Sequence, residues 1–140
     1  MGILKDTKDA LKALVEAAVP TGTAVLVGVD PAHVDVQRYP KFAVIVLERW
    51  EYQPNLTLMA VTQWQVWDWA IYTYAGAAGT NEDAVDEIDP LITAVVGLAG
   101  ETITDYAKPI EIRQAAEFYA MHEGSPVYNT MITHEQQPSS

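Results

Sequence analysis

The sequence predicts an α+β fold: a mainly antiparallel sheet with a long aromatic hairpin, an N-terminal helix and a second helix packed on one face, and a C-terminal β-hairpin. Three observations predict it. Nine of the thirteen aromatic residues, including all four tryptophans, fall between Tyr39 and Tyr74. All but Tyr39 sit on two apolar runs, Phe42–Tyr52 and Leu56–Tyr74, joined by Gln53-Pro54-Asn55. Segments with the 3.6-residue period of an amphipathic helix, 3–19 and 80–98, lie on either side of that hairpin.

In the first helix, residues 3–19, Leu4, Leu11, Leu14, Val15 and Ala18 share one face, with Lys5, Lys8, Asp9, Lys12 and Glu16 opposite. Pro20 ends it and Thr21-Gly22 turns the chain. Residues 23–29 are short and β-branched, which predicts a strand. Asp30-Pro31 and Tyr39-Pro40 bracket a loop over 30–40.

Phe42 to Leu47 is apolar at every position, so both faces of this strand should be covered. From Glu48 it alternates, with Trp50 and Tyr52 on one side and Arg49, Glu51 and Gln53 on the other. The return strand, Leu56 to about Tyr74, changes phase. Gln63 and Gln65 alternate with Trp64 and Val66; then Trp67, Trp69 and Ile71 take the other parity. That predicts a β-bulge near Val66–Trp67, or burial of both faces by different partners. Nineteen extended residues would span about 60 Å, whereas a chain of this length folds to about 37 Å across. The strand must bend or the hairpin tip must project.

Gly76-Ala77-Ala78-Gly79 reads as a loop. Thr80 or Asn81 caps the next helix, on which Val85, Ile88, Leu91, Ile92, Val95 and Leu98 keep helical spacing. Asp89-Pro90 predicts a kink or two abutting helices. Residues 110–134 read as the second hairpin, turning at Glu123-Gly124-Ser125-Pro126; Gln114–Glu117 suit helix as well as strand. Residues 135–140 read as a loose polar tail on a single domain spanning 1–140, with its core at 3–134.

Composition excludes several kinds of function. There is no cysteine, hence no disulfide framework, thiolate metal site or thiol catalysis. The start, Met1 to Asp6, lacks a signal-peptide core, and Asp6 stands where a myristoylation signal wants Ser or Thr; synthesis in the cytosol is expected. No apolar run approaches the ~20 residues that span a bilayer, so no membrane is expected as partner. Nineteen acids against eight bases give a net charge of −11. Seven acids crowd 82–105: Glu82, Asp83, Asp86, Glu87, Asp89, Glu101 and Asp105. Such a balance repels phosphate backbones and reads first as a solvated acidic face.

No phosphate loop, dinucleotide fingerprint or nucleophile elbow is present. His33, His122 and His134 are dispersed and read as ordinary surface or turn histidines. Asp68, between Trp67 and Trp69, either sits on a solvated face or is buried; if buried, its charge needs Arg49 or Arg113. No catalytic, metal-binding or cofactor-binding residues, and no cofactor, are expected. The aromatic run lacks the basic or amide groups of a base-stacking platform on its own face. Core packing plus a subunit interface suits it better, with Trp50, Tyr52, Trp64, Trp67, Trp69 and Tyr72 as interface candidates.

This element order, with the Pro54-Asn55 tip and the C-terminal run Glu117-Phe118-Tyr119-Ala120-Met121-His122-Glu123-Gly124-Ser125-Pro126-Val127-Tyr128, resembles the tail terminator (tail completion) proteins of long-tailed bacteriophages, over about residues 3–134. The resemblance implies a virion protein of the tail or neck, assembled in the host cytoplasm. It implies a homo-oligomer, a hexameric ring, that caps the tail tube protein and meets the head–tail connector or stopper. DNA would pass through the lumen unbound, past acids such as Glu82, Asp83, Asp86 and Glu87. Lys5, Lys8 and Lys12 would stay outside that channel. A head–tail stopper or neck protein, and a small enzyme or ligand-binding domain with a pocket under the hairpin, are the alternatives.

Overall fold

The computed structural model describes residues 3–53, 64–76 and 81–137. The elements run α1 (Ile3–Ala18), β1 (Ala24–Val27), β2 (Lys41–Gln53), β3 (Trp64–Ala75), α2 (Asn81–Val96), β4 (Glu111–His122) and β5 (Ser125–Gln136). The strands form one sheet in the order β1-β2-β3-β5-β4. Every pairing is antiparallel except β1 with β2. The fold class is α+β, as the sequence predicts.

The sheet buries both faces, for different reasons. On one, Ala43, Ile45, Trp67, Trp69, Ile71 and Ile132 meet Leu11 and Val15 of α1 and Val95 of α2. On the other, Phe42, Val44, Tyr74 and Val127 pack under Val34, with Val36 and Tyr39 against them. The 30–40 loop is therefore the cover of the second face. It opens with a single 3-10 turn, Pro31–His33, whose cap is Asp30 accepting from the Ala32 N–H at 2.9 Å. Two-sided burial accounts for the unbroken apolar run of β2 and for the change of phase along β3, nearly all of whose residues are buried.

The bulge falls on β2, not at Val66–Trp67. Between Leu47 and Arg49 the register shifts by one, leaving Glu48 without an opposite residue on β3. Beyond it Arg49 faces Asp68 and Trp50 faces Trp67. The extra residue turns Arg49 away from the helices and returns Trp50 to their side.

The helices differ from expectation in detail. The buried stripe of α1 is Thr7, Leu11 and Val15, while Leu4 and Ala18 are exposed. α2 is one helix that runs through Pro90. Pro90 lies on its exposed side, where solvent can satisfy the carbonyl four residues back that loses its donor. In the C-terminal hairpin, 114–117 is strand rather than helix. β4 shifts register three times against β5, and Ala116 takes a positive φ of 39° within that irregular stretch. The turn is tighter than expected: His122 pairs with Ser125, so Glu123 and Gly124 alone connect the strands. β5 runs two residues into the segment read as tail. There Gln136 is buried and its Nε2 donates to Thr7 Oγ1 at 2.9 Å, joining the last strand to the first helix.

Candidate assembly surface

The interface candidates divide by depth. Trp67 and Trp69 are fully buried beneath the helices, so no indole surface is left for another subunit. They are core, because both faces of β3 are filled by this chain. Trp50 is 36% exposed and stacks on Trp67 at 4.6 Å, with its indole N–H donated to Gln65 Oε1 at 2.8 Å. Trp64 is half-buried, with the Lys108 ammonium 4.4 Å above its ring. Tyr72 is half-buried and meets the edge of Tyr119 at 4.7 Å. The side chain of Tyr52 lies outside the described residues.

Of the acids, Asp86 is exposed, and exposed Glu87 pairs with Lys41 at 2.9 Å. The side chains of Glu82 and Asp83 lie outside the described residues. Lys5 and Lys8 both hold Asp9, at 2.7 and 3.0 Å. Those bonds lower the Asp9 pKa, led by the hydrogen bond from Lys5. Lys12 is half-buried on the same helix.

Asp68 is buried, and both candidate partners hold it. Its Oδ2 accepts from Arg49 Nε at 2.7 Å and Arg113 Nη1 at 3.1 Å. The β2 bulge is what brings Arg49 to this side. The two arginines, with Lys108, Glu111 and Glu135, line a cleft of about 550 Å³. Its charges are balanced: Lys108 pairs with Glu135, and Arg49 also reaches Glu51.

The histidines are not all surface groups. His33 is exposed. His122 holds the 30–40 loop, its Nε2 2.9 Å from the Val34 carbonyl. His134 is buried and accepts the Trp69 indole N–H at Nε2. Burial lowers its pKa to about 4, against a smaller opposite pull from Asp68. A neutral imidazole accepting a hydrogen bond on one nitrogen, stacked on Trp67, is a packing element. Among the described residues no three His, Asp or Glu are grouped to hold a metal. No helix there is long and apolar enough to cross a membrane.

Val85, read on the apolar face of α2, is exposed, as is Val29, and three more exposed apolar residues lie on β4. Phe118, Tyr119 and Met121 are 53%, 46% and 55% exposed on the edge strand of the sheet. Their signal is the unalternated run Phe118-Tyr119-Ala120-Met121, which leaves large apolar groups on both sides of one strand. Tyr119 also lines a groove of about 230 Å³, together with Gly28, Val29, Asp30, Pro31, Val46 and Tyr72. Burial raises the Tyr72 pKa above the ordinary tyrosine value, with Glu48 adding to it.

No family model matches the sequence, and no curated protein matches it. The structure is similar to that of the sheath/tube terminator of PVC, an extracellular contractile injection system, in its extended state. The TM-score is 0.55 at 11% identity, and the match covers 100% of this chain and 58% of the other. The chain thus spans a little over half the length of that neighbour. At such identity the likeness is one of fold.

Proposed function

We propose that this chain is a structural subunit that terminates the tube of a phage-like tail, rather than an enzyme. The observation that carries the reading is the likeness of fold, over all of this chain and 58% of the other, to a sheath/tube terminator. Copies would form a ring, six by analogy with the phage proteins that the sequence resembles, with one face on the last layer of tube protein. In a headed phage the other face would meet the connector, and DNA would pass through the lumen. Asp86, with Glu82 and Asp83 placed there by sequence alone, would line that lumen. An acidic wall avoids the summed phosphate contacts that would hold DNA. Glu87 contributes less, since Lys41 neutralises it.

The test is native mass and negative-stain microscopy of the purified chain, alone and added to polymerising tube protein of the same particle. A ring, and tubes that stop growing once it is added, are expected. A chain that stays monomeric and leaves tube growth unchanged overturns the reading.

A further inference from the structure

β4 is the outer strand on one side of the sheet and β1 on the other; among the described residues no strand lies beyond either. An outer strand presents backbone N–H and C=O groups without a ladder partner, and folds commonly shield them with charge or irregular pairing. The first half of β4 is shielded in this way, by Glu111, Arg113 and Glu117. Its second half has no such charge: Phe118 to His122 contains no Asp, Glu, Lys or Arg. Phe118, Tyr119 and Met121 stand exposed there. They occupy both faces. Tyr119 meets the edge of Tyr72 and Phe118 that of Tyr128. Tyr128 pairs with Thr73, the residue next to Tyr72, so the two tyrosines point to opposite sides of the sheet. A helix or loop laid on one face would cover only one of these groups. A strand added at the edge flanks both and pairs the backbone as well.

Charge and strand direction select that strand. At a net charge of −11, copies of this chain repel one another wherever acids meet. Pairing β4 with the β4 of a second copy, centred on Ala120, would set Glu117 opposite Glu123 at both ends of the ladder, and like charges directly opposite oppose pairing. β1 raises no such conflict, because residues 17–29 around it hold no Asp, Glu, Lys or Arg. The two edges also run in opposite directions. β1 is parallel to β2, and three antiparallel steps lead from β2 through β3 and β5 to β4. Copies placed edge to edge in one orientation therefore set β4 antiparallel to β1, the slightly more stable ladder.

We propose that residues 118–122 of one copy pair with β1 of the next, so that the sheet continues from subunit to subunit. The two edges differ, so the contact is heterologous and repeats until the ring closes. The inference rests on the ring reading above for its setting and specifies which edges close the ring.

The chain has no cysteine, so introduced cysteines report only the contact they are placed to test. Met121→Cys is combined with cysteine at Ala24, Val25, Leu26 or Val27 in turn. Circular dichroism and melting establish that each variant folds. Under mild oxidation at least one combination should give a covalent ladder of oligomers, since a disulfide needs Cβ atoms about 4 Å apart. The matching single variants, mixed, should give dimers and nothing larger, and Met121→Cys alone should give none. The double variant Phe118→Lys, Met121→Lys, at two exposed positions, should fold and lose the ring, its association weakened at least about tenfold. Dimers of Met121→Cys alone overturn the contact in favour of β4 on β4. Wild-type rings in which no combination cross-links overturn it and leave the ring reading standing. Lysine variants that keep the ring but lose tube binding overturn it too, assigning the edge to the tube protein. If the wild type forms no ring alone or on tubes, the ring reading fails and takes the contact with it.

Discussion

Trp69 donates its indole N–H to His134 Nε2 across the β3–β5 seam at 3.0 Å, between two side chains each 1% exposed. The bond requires an imidazole that is neutral and accepts at Nε2. Sequence separates the two residues by 65 positions, and the fold makes them one unit.

A loss of stability in mild acid follows. The folded pKa of His134 is about 4, below the usual 6.5, so between these values the unfolded chain binds the extra proton. Stability from this group is complete above pH 6.5 and falls as pH drops toward 4, by about 3 kcal/mol at most. His134→Gln keeps an acceptor and does not titrate. Urea unfolding from pH 7 to 4 should show a shallower decline for it than for wild type; equal slopes would remove His134 from the explanation.

Asp68→Asn should cost about 2 kcal/mol, since it leaves two guanidiniums against a neutral amide in a buried position. Replacing either arginine by Met should cost less, because the other still holds the carboxylate. The half-exposed guanidiniums are also partly screened. Denaturant midpoints of the three variants give the order directly.

The stacked pair Trp50 and Trp67 separates surface from core. Trp67→Ala should cost about 3–5 kcal/mol through the cavity it leaves. Trp50→Ala, at an exposed position, should cost about 1–2 kcal/mol for lost stacking and one hydrogen bond. Thermal melts that rank the two in reverse would contradict the burial described.

The turn of the C-terminal hairpin holds Glu123 at φ 49° and Gly124 at φ 82°. Both lie in the left-handed region, the arrangement of a two-residue hairpin turn that favours Asn-Gly. Glu123→Asn should stabilise by about 0.5 kcal/mol, and Gly124→Ala should destabilise by about 1 kcal/mol. Opposite shifts in melting temperature check the pair.

The hairpins and helices were legible because their apolar spacing is local. What was not legible depended on distant neighbours. A phase change on β3 shows that something alternates differently, but not which strand carries the bulge; Glu48 does, one strand away. Pro90 reads as a break, yet its place on the exposed side of α2 lets the helix continue. His134 reads as surface because nothing near it in sequence announces Trp69. Asp68 was the exception among site residues: its exposure was open, but if it was buried between tryptophans it needed a cation, and Arg49 and Arg113 were the available ones. The exposed row on β4 was hidden by its irregular register, which blurs the alternation that marks an edge.

The position of β5 has a consequence for biosynthesis. β3 is flanked by β2 on one side and β5 on the other, and β5 leaves the ribosome after the other four strands described. Until it does, one edge of β3 has no partner, Trp69 lacks its acceptor, and Thr7 on α1 waits for Gln136. The nascent chain must carry its most aromatic strand half-covered from the synthesis of Ala75 until Ser125–Gln136 is made. That open edge is where copies made on one message would cross-pair. A slow codon stretch just before Ser125 should therefore lower the soluble yield, while the finished protein, with β3 paired on both sides, should be indifferent to how it was made.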